Sequence, residues 1–343
     1  DHSKFLGNII PHFVPQQYNL LWNQVTPENA GKWGSIESTR NVMSWGNHDR
    51  AYKLSHDNGI KFRFHTLVWG SQEPAWLKDL NAEQQLIELN ELMTRVAQRY
   101  PTIHYIDVVN EPLHAPSSMK EALGGDGVTG WDWVVKSFEL ARHYFPDSEL
   151  HLNEFHIMAG WTDDVLNNYI KIIKILNDRG LIDGIGIQSH HFNMNLVSTN
   201  HMKTKLDKLA AFGLPIYVTE LDITGKPAWE SDDVYRTYRE QNPAEDENRQ
   251  FERYRDKFPL LWEHVGVAGV TLWGYIEGTT WAVGSGLINA NFTDRKAMTW
   301  LRQYMASERS KVPNKFIKTN LNNAQLYPDV EIFPVPARGY LYV

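Results

Sequence analysis

Ile106-Asp-Val-Val-Asn-Glu-Pro112 is a run of β-branched and apolar residues that closes on a glutamate. Ile216-Tyr-Val-Thr-Glu-Leu-Asp222 has the same form, with Glu220 in the closing place. A carboxylate at the carboxyl end of a buried parallel strand stands where a (β/α)8 barrel builds its active site. One such glutamate alone is equally well read as a solvated residue in a β-to-α loop. Two of them, one able to protonate a leaving oxygen and one able to meet a developing oxocarbenium ion, fit the paired acids of glycoside hydrolysis.

Working outward from these two runs, short strand-like segments recur at 5–10, 20–26, 62–69, 103–110, 150–153, 184–190, 216–221 and 267–273. Helical periodicity fills most of the intervals, at 82–99, 131–144, 163–178, 201–212 and 245–264, with an eighth outer helix over 293–305. Asn81 and Thr162 precede helical patterns as N-caps, and Phe212-Gly213 reads as a helix end. The first unit is compressed, with room only for a short helix at 13–19. Eight strands alternating with helices predict an α/β chain folded as a single (β/α)8 barrel over 1–306. An open doubly wound sheet is the alternative; no Gly-rich phosphate loop follows any strand, and Gly184-Ile-Gly186 lacks the third glycine. Residues 307–343 change character, polar and basic up to Asn323 and then rich in Pro and β-formers, and read as a C-terminal tail or linker.

Composition sets broader limits. The chain has 343 residues, 42% hydrophobic and 22% charged, ordinary for a globular protein with a sizeable core. A net charge of −7 argues against a nucleic-acid partner, which favours a basic face. No apolar run approaches the roughly 18 residues needed to cross a bilayer, so no membrane span is expected. Cysteine is absent, which removes disulfides and thiolate metal sites and is compatible with export. Thirteen Trp and fifteen Tyr are more than a core of this size needs. They fit either large aromatics buried in a barrel or flat faces for stacking on sugars.

Placed on a barrel, the chemistry-bearing residues fall at strand ends. In order they are Thr26-Pro-Glu-Asn-Ala-Gly-Lys-Trp33, His65-Thr-Leu-Val-Trp-Gly-Ser-Gln72, Asn110-Glu111, Asn153-Glu154, Gln188-Ser-His-His191, Glu220-Leu-Asp222 and Trp273. His65, His190, His191 and Glu220 could instead be read as metal ligands on strand ends. The aromatic neighbours account for them without a metal, and no cofactor is expected.

These blocks, six of them in order, resemble glycoside hydrolase family 10, the retaining endo-β-1,4-xylanases, and the resemblance covers about residues 5–306. It implies Glu111 as general acid/base and Glu220 as nucleophile. Asn110, His190 and Asp222 are implied as supporting groups, with Asn110 on the 2-hydroxyl of the sugar being cleaved, His190 on the nucleophile and Asp222 orienting that histidine. Lys32 and His65 are implied to bind the same sugar, and Glu28, Asn29 and Gln72 the next one toward the non-reducing end. Trp69, Trp273 and Trp281 are implied as aromatic walls, and Asn153 as a contact on the leaving-group side. The acid role requires a proton on Glu111 when substrate binds, and the nucleophile role requires Glu220 to be ionised. The expected substrate is xylan or a xylo-oligosaccharide, and the expected setting is a secreted or cell-surface monomer. A related retaining β-glycanase or β-glycosidase and a non-catalytic sugar-binding barrel are the competing functions.

The sequence departs from the family pattern at three places. Gly70 stands where histidine is usual, which suggests a widened glycone side or a compensated drift. Tyr275-Ile-Glu-Gly-Thr-Thr-Trp281 and Asp294-Arg-Lys-Ala-Met298 replace the usual segments of the eighth loop. Trp131, Trp133 and Trp161 are expected to pack on helices, His191 to be a loop or supporting residue, and 230–247 to be a solvated loop and helix start or a border of the leaving-group end. The stretch Val330 to Val343 is similar to the opening of type IX secretion sorting domains, or is an ordinary tail strand.

Overall fold

The computed structural model describes residues 4–227 and 230–312. Eight parallel strands form a closed barrel in which each pairs with the next and the last returns to the first. They are β1 (Phe5–Ile10), β2 (Gln24–Pro27), β3 (Lys61–Val68), β4 (Tyr105–Asn110), β5 (Glu149–Glu154), β6 (Gly184–Ile187), β7 (Ile216–Leu221) and β8 (Val267–Leu272). Every strand residue is buried except exposed Lys61 and half-buried Glu149. Both faces are covered, by helices outside and by side chains within, which is why the strands read as apolar runs and not as alternating patterns. The doubly wound alternative is excluded by the β1–β8 ladder.

The helices are α1 (Tyr18–Leu21), α2 (Trp33–Ile36), α3 (Gly46–Asn58), α4 (Ala82–Arg99), α5 (Asp132–Tyr144), α6 (Asp164–Asp178), α7 (His191–Met194), α8 (Thr199–Ala210), α9 (Asp232–Gln241), α10 (Pro243–Glu263) and α11 (Lys296–Ala306). α4 begins at a complete capping box, in which the Asn81 side chain accepts from Gln84 N and Gln84 accepts from Asn81 N. Asp163 holds the N-cap position of α6 without a side-chain cap bond, and Thr162, one residue earlier, accepts from Asp164 N through Oγ1 at 3.1 Å.

Besides the one-turn helices α2 and α7, two longer helices escape the periodicity of the sequence. The buried face of α3 is His48, Ala51 and Ser55, so it carries no aliphatic stripe. His48 lies among the rings of Phe62, Phe64 and Tyr100, and burial keeps it neutral, with a pKa pushed down to about 3. α9 buries only Tyr235, and its polar face disguises it as a loop. The expected strand at 20–26 also begins late. Tyr18 is turned inward to donate to the carbonyls of Asn8 and Gln24, and the chain stays helical through Leu21. β6 stops at Ile187 because Ser189 takes a left-handed φ of 63°, which turns the chain out of the ladder.

The bottom of the barrel is sealed by Phe5, Tyr105, Tyr217 and Ala268. A Cβ on Gly269 would lie 2.3 Å from the Phe5 ring, so glycine there makes room for the plug. Arg63 stands over Tyr105 and Tyr217 at 5.3 and 5.4 Å and donates to Asp107 Oδ1 at 2.7 Å. Sealed below by aromatics, the barrel leaves its polar strand ends grouped at the other mouth. The packed chain runs past α11: Trp262 Nε1 donates to Ser310 O at 2.7 Å, and Ser310 is fully buried. Packing against the barrel therefore reaches Ser310, inside the expected tail, and the segment similar to a sorting domain lies outside the described residues.

Candidate active site

The strand ends of β4, β5, β6 and β7 converge on two carboxylates. Glu111 follows β4 with φ at 53°, a left-handed conformation that few non-glycine residues adopt and that strained functional positions often show. Its backbone is held there by donation from Glu111 N to Asn153 O at 2.8 Å and by acceptance from His114 and Ala115 N. Trp69 Nε1 donates to its Oε2 at 3.0 Å, and Gln188 Nε2 to its Oε1 at 2.9 Å.

Glu220 lies within β7 and is 4% exposed. Its Oε1 accepts from Asn153 Nδ2 at 2.8 Å and its Oε2 from His190 Nε2 at 3.1 Å. His190 Nδ1 meets Asp222 Oδ2 at 2.8 Å. An imidazole with carboxylates on both nitrogens donates from both and is an imidazolium. Burial opposes that charge, but the two carboxylates override it and push the His190 pKa up to about 10. For Glu220 burial favours the protonated acid; the hydrogen bond from His190 and the charges of His65 and Lys32 outweigh it and hold the carboxyl below its ordinary range. Asp222 is likewise held ionised against burial by His190 and His191.

The expected supporting groups divide into those that reach this centre and those that do not. Asn110 joins both sides, touching Glu111 Oε1 at 3.3 Å and accepting from Asn153 Nδ2 at 2.9 Å. Lys32 is buried, donates to Asn29 Oδ1 at 2.7 Å, and feels the charges of Glu220, Glu28 and Glu111; burial lowers its pKa in spite of them. His65 donates through Nδ1 to Asp107 Oδ2 at 2.9 Å, with its ring between Trp69 and Trp273. Trp273 is buried and Trp281 half exposed, the latter donating through Nε1 to Asp222 Oδ2 at 2.9 Å. Glu28 and Asn29 line an open cavity of about 560 Å³ with Pro11, His12, Ser35 and Asn47. Burial raises the pKa of Glu28. Gln72 is exposed and is held through its carbonyl, which accepts from Gly34 N at 3.0 Å.

Asn153, expected as a contact on the leaving-group side, is fully buried, with both amide protons donated to Asn110 and Glu220 and Oδ1 accepting from Thr219. Other expectations are corrected. Gly70 is no widened vacancy, since a Cβ there would stand 2.2 Å from Pro116 O, and Gly70 N donates to Ala115 O. The backbone of the loop after β4 occupies the space a larger residue would use. Trp133 and Trp131 do pack on the core, but Trp161 is 57% exposed and meets His156 edge to face. With His191, Phe192, Leu196, Lys226 and Glu230 it lines a second open cavity of about 590 Å³, and the rest of the acidic stretch from 232 is the helix α9 and the start of α10.

The two loop departures prove to be one feature. Arg295 donates to Glu277 at 3.0 Å and to Asp246 at 3.1 Å, and Arg239 bridges the same two carboxylates. This network underpins the loop that carries Trp281. Gln188 is a contact that residue-level reading leaves unassigned, although it opens one of the ordered blocks. Among the described residues no group of three or more His, Asp or Glu side chains could hold a metal ion, and His190 and His191 are instead tied to Glu220 and Asp222. No helix of the described residues is long and apolar enough to cross a membrane.

The family model described as glycosyl hydrolase family 10 matches residues 7–304. The sequence is 37% identical over 303 residues to endo-1,4-β-xylanase B of Cellvibrio japonicus, covering 87% of this chain and 45% of that protein. It is 31% identical over 291 residues to a β-1,4-xylanase of Dictyoglomus thermophilum, covering 80% and 78%. The chain thus spans less than half the length of the first relative and most of the second. The crystal structure of xylanase B from Clostridium stercorarium F9 superposes with a TM-score of 0.71 at 26% identity, covering 86% of this chain and 95% of that one. A match that begins within β1 and ends within α11 takes in the whole barrel, and the chain belongs to glycosyl hydrolase family 10.

Proposed function

We propose that this barrel is a retaining endo-β-1,4-xylanase, in which Glu220 attacks the anomeric carbon while Glu111 protonates the departing glycosidic oxygen. A glycosyl ester on Glu220 results, and the leaving chain departs as an alcohol. Glu111, now ionised, takes a proton from water as that water attacks the anomeric carbon, which frees Glu220 and restores the original configuration. The observation that carries this reading is the asymmetry of the two acids. Glu220 receives a charged donor from His190, which suits a group that must be an anion. Glu111 receives neutral donors from Trp69, Gln188 and Asn110, and no charged one.

Action inside a chain is supported by open cavities on both sides of the pair, one at Glu28 and Asn29 and one at Trp161 and Phe192. On the second side the aromatic rings run on continuously: His190 to Phe192 at 5.6 Å, Phe192 to His156 at 5.1 Å, His156 to Trp161 at 5.9 Å. Such a row offers flat faces to successive sugars of a neutral polymer. No cofactor enters these steps.

The test compares release of reducing ends from xylan and from carboxymethylcellulose, with the anomeric form of the first product read by NMR. Xylan should be the better substrate, its product should retain the β configuration, and Glu220→Ala should abolish turnover. Faster cleavage of carboxymethylcellulose would favour a β-glucanase, and activity surviving in Glu220→Ala would overturn the nucleophile assignment. We further propose export or surface display and a monomeric state, because a polymeric substrate must be met outside the cell and in an open cleft. Cell fractionation and light scattering check these two points.

A further inference from the structure

Asp222 is the most heavily used carboxylate of the site, and half of its support comes from a residue with no role in the steps above. Its Oδ2 accepts from His190 Nδ1 and from Trp281 Nε1, at 2.8 and 2.9 Å. Its Oδ1 accepts from the backbone N of His191 at 2.5 Å and from His191 Nδ1 at 3.0 Å. Asp222 is 1% exposed, so no bulk water can replace a lost donor, and these four bonds set the plane of the carboxylate.

That plane matters in two directions. On one side Asp222 fixes His190, whose other nitrogen donates to Glu220. On the other it anchors Trp281, an indole 50% exposed at the rim of the cleft. The rings of His190 and His191 both meet Trp281 edge to face, at 4.8 and 5.7 Å. His191 therefore touches both the carboxylate and the wall that the carboxylate holds. Without its imidazole, Oδ1 keeps only the backbone donor, and rotation of the carboxylate is opposed by one bond fewer.

We propose that His191 is a positioning residue, which locks the Asp222 carboxylate so that one oxygen can serve His190 and Trp281 together and couples support of the nucleophile to placement of the sugar-covering indole. The proposal rests on the reading of Glu220 as nucleophile. It also distinguishes His191 from the metal-ligand role that its neighbour pair suggested, since its Nδ1 proton is spent on Asp222.

The experiment compares the full chain with His191→Leu and His191→Asn, the second of which keeps an N–H close to the Nδ1 position. Three quantities are measured for each: kcat and KM on soluble xylan, the melting temperature, and the downfield proton resonance of His190 Nδ1–H in the resting protein. His191→Leu should lose about tenfold in kcat, the weight of one hydrogen bond, with KM raised as Trp281 loosens. Its His190 resonance should be displaced, and its melting temperature should fall by a few degrees, since a buried carboxylate has lost one donor. His191→Asn should restore kcat and resonance toward the parent values. A Leu variant with parental kcat and an undisplaced resonance overturns the proposal, as does an Asn variant no better than Leu. The resonance needs no substrate, so it judges His191 even if xylan proves not to be cleaved; that failure would count against the xylanase reading alone.

Discussion

Asn110 and Asn153 share a hydrogen bond of 2.9 Å, and through it the two glutamates are joined. Glu111 touches Asn110, Asn110 accepts from Asn153, and Asn153 donates to Glu220. Asn153 cannot serve both partners without both of its amide protons. Asn153→Ala should therefore lower kcat/KM on the order of 10²-fold, the usual effect of deleting one donor at a developing charge, with little change in fold. Asn153→Asp should be worse, because a second carboxylate would face Glu220 at hydrogen-bond distance. Steady-state kinetics on a xylo-oligosaccharide checks both.

With Glu220 as the proposed nucleophile, the acid limb of kcat/KM should report its ionisation. A carboxyl held below its ordinary value of 4.5 stays ionised to lower pH, so the limb should fall below 4.5. His190→Asn removes the largest force that opposes burial, and protonation of Glu220 should then occur at higher pH. The limb should move upward while the maximal rate drops. A pH–rate series on the two proteins measures the shift, and an unmoved limb would show that His190 does not hold the charge of Glu220.

Gly70 should tolerate no side chain. Gly70→His or even Gly70→Ala sets a Cβ 2.2 Å from Pro116 O, and the contact is with backbone, which cannot rotate away. The expected cost is about 1–3 kcal/mol of stability with displacement of the loop after Glu111. Denaturant unfolding and kcat should fall together.

Arg295 is 4% exposed and pairs with Glu277 and Asp246. Arg295→Met leaves two carboxylates short of a cation and should cost about 3–5 kcal/mol, more than a surface ion pair would. Arg239 remains beside the same acids, so the double variant Arg295→Met/Glu277→Gln should recover part of the loss. Thermal unfolding of the single and double variants measures it.

Truncation locates the end of the packed barrel. A chain ending at Ala306 loses the Trp262–Ser310 bond and uncovers a Trp that is 1% exposed, whereas one ending at Val312 keeps both. The shorter protein should melt lower, by several degrees for a domain of this size. Equal melting temperatures would place the boundary at 306 after all.

Local sequence alone determined the eight strands, their alternation with helices and the acids at the ends of the fourth and seventh, because strands buried on both faces must be apolar and β-branched wherever they occur. It likewise marked Asn110, His190 and Asp222, since each lies within two residues of Glu111 or Glu220 or at a neighbouring strand end. Contacts between distant loops have no such local mark. Only the tertiary structure decided that Asn153 bridges Asn110 and Glu220, that the space beyond Gly70 is filled by the carbonyl of Pro116, and that Glu277 and Arg295 are one departure and not two. The hidden helix at Gly46–Asn58 belongs to the same class: its buried face of His, Ala and Ser gains its meaning from Phe62, Phe64 and Tyr100, which only the closed barrel brings to it.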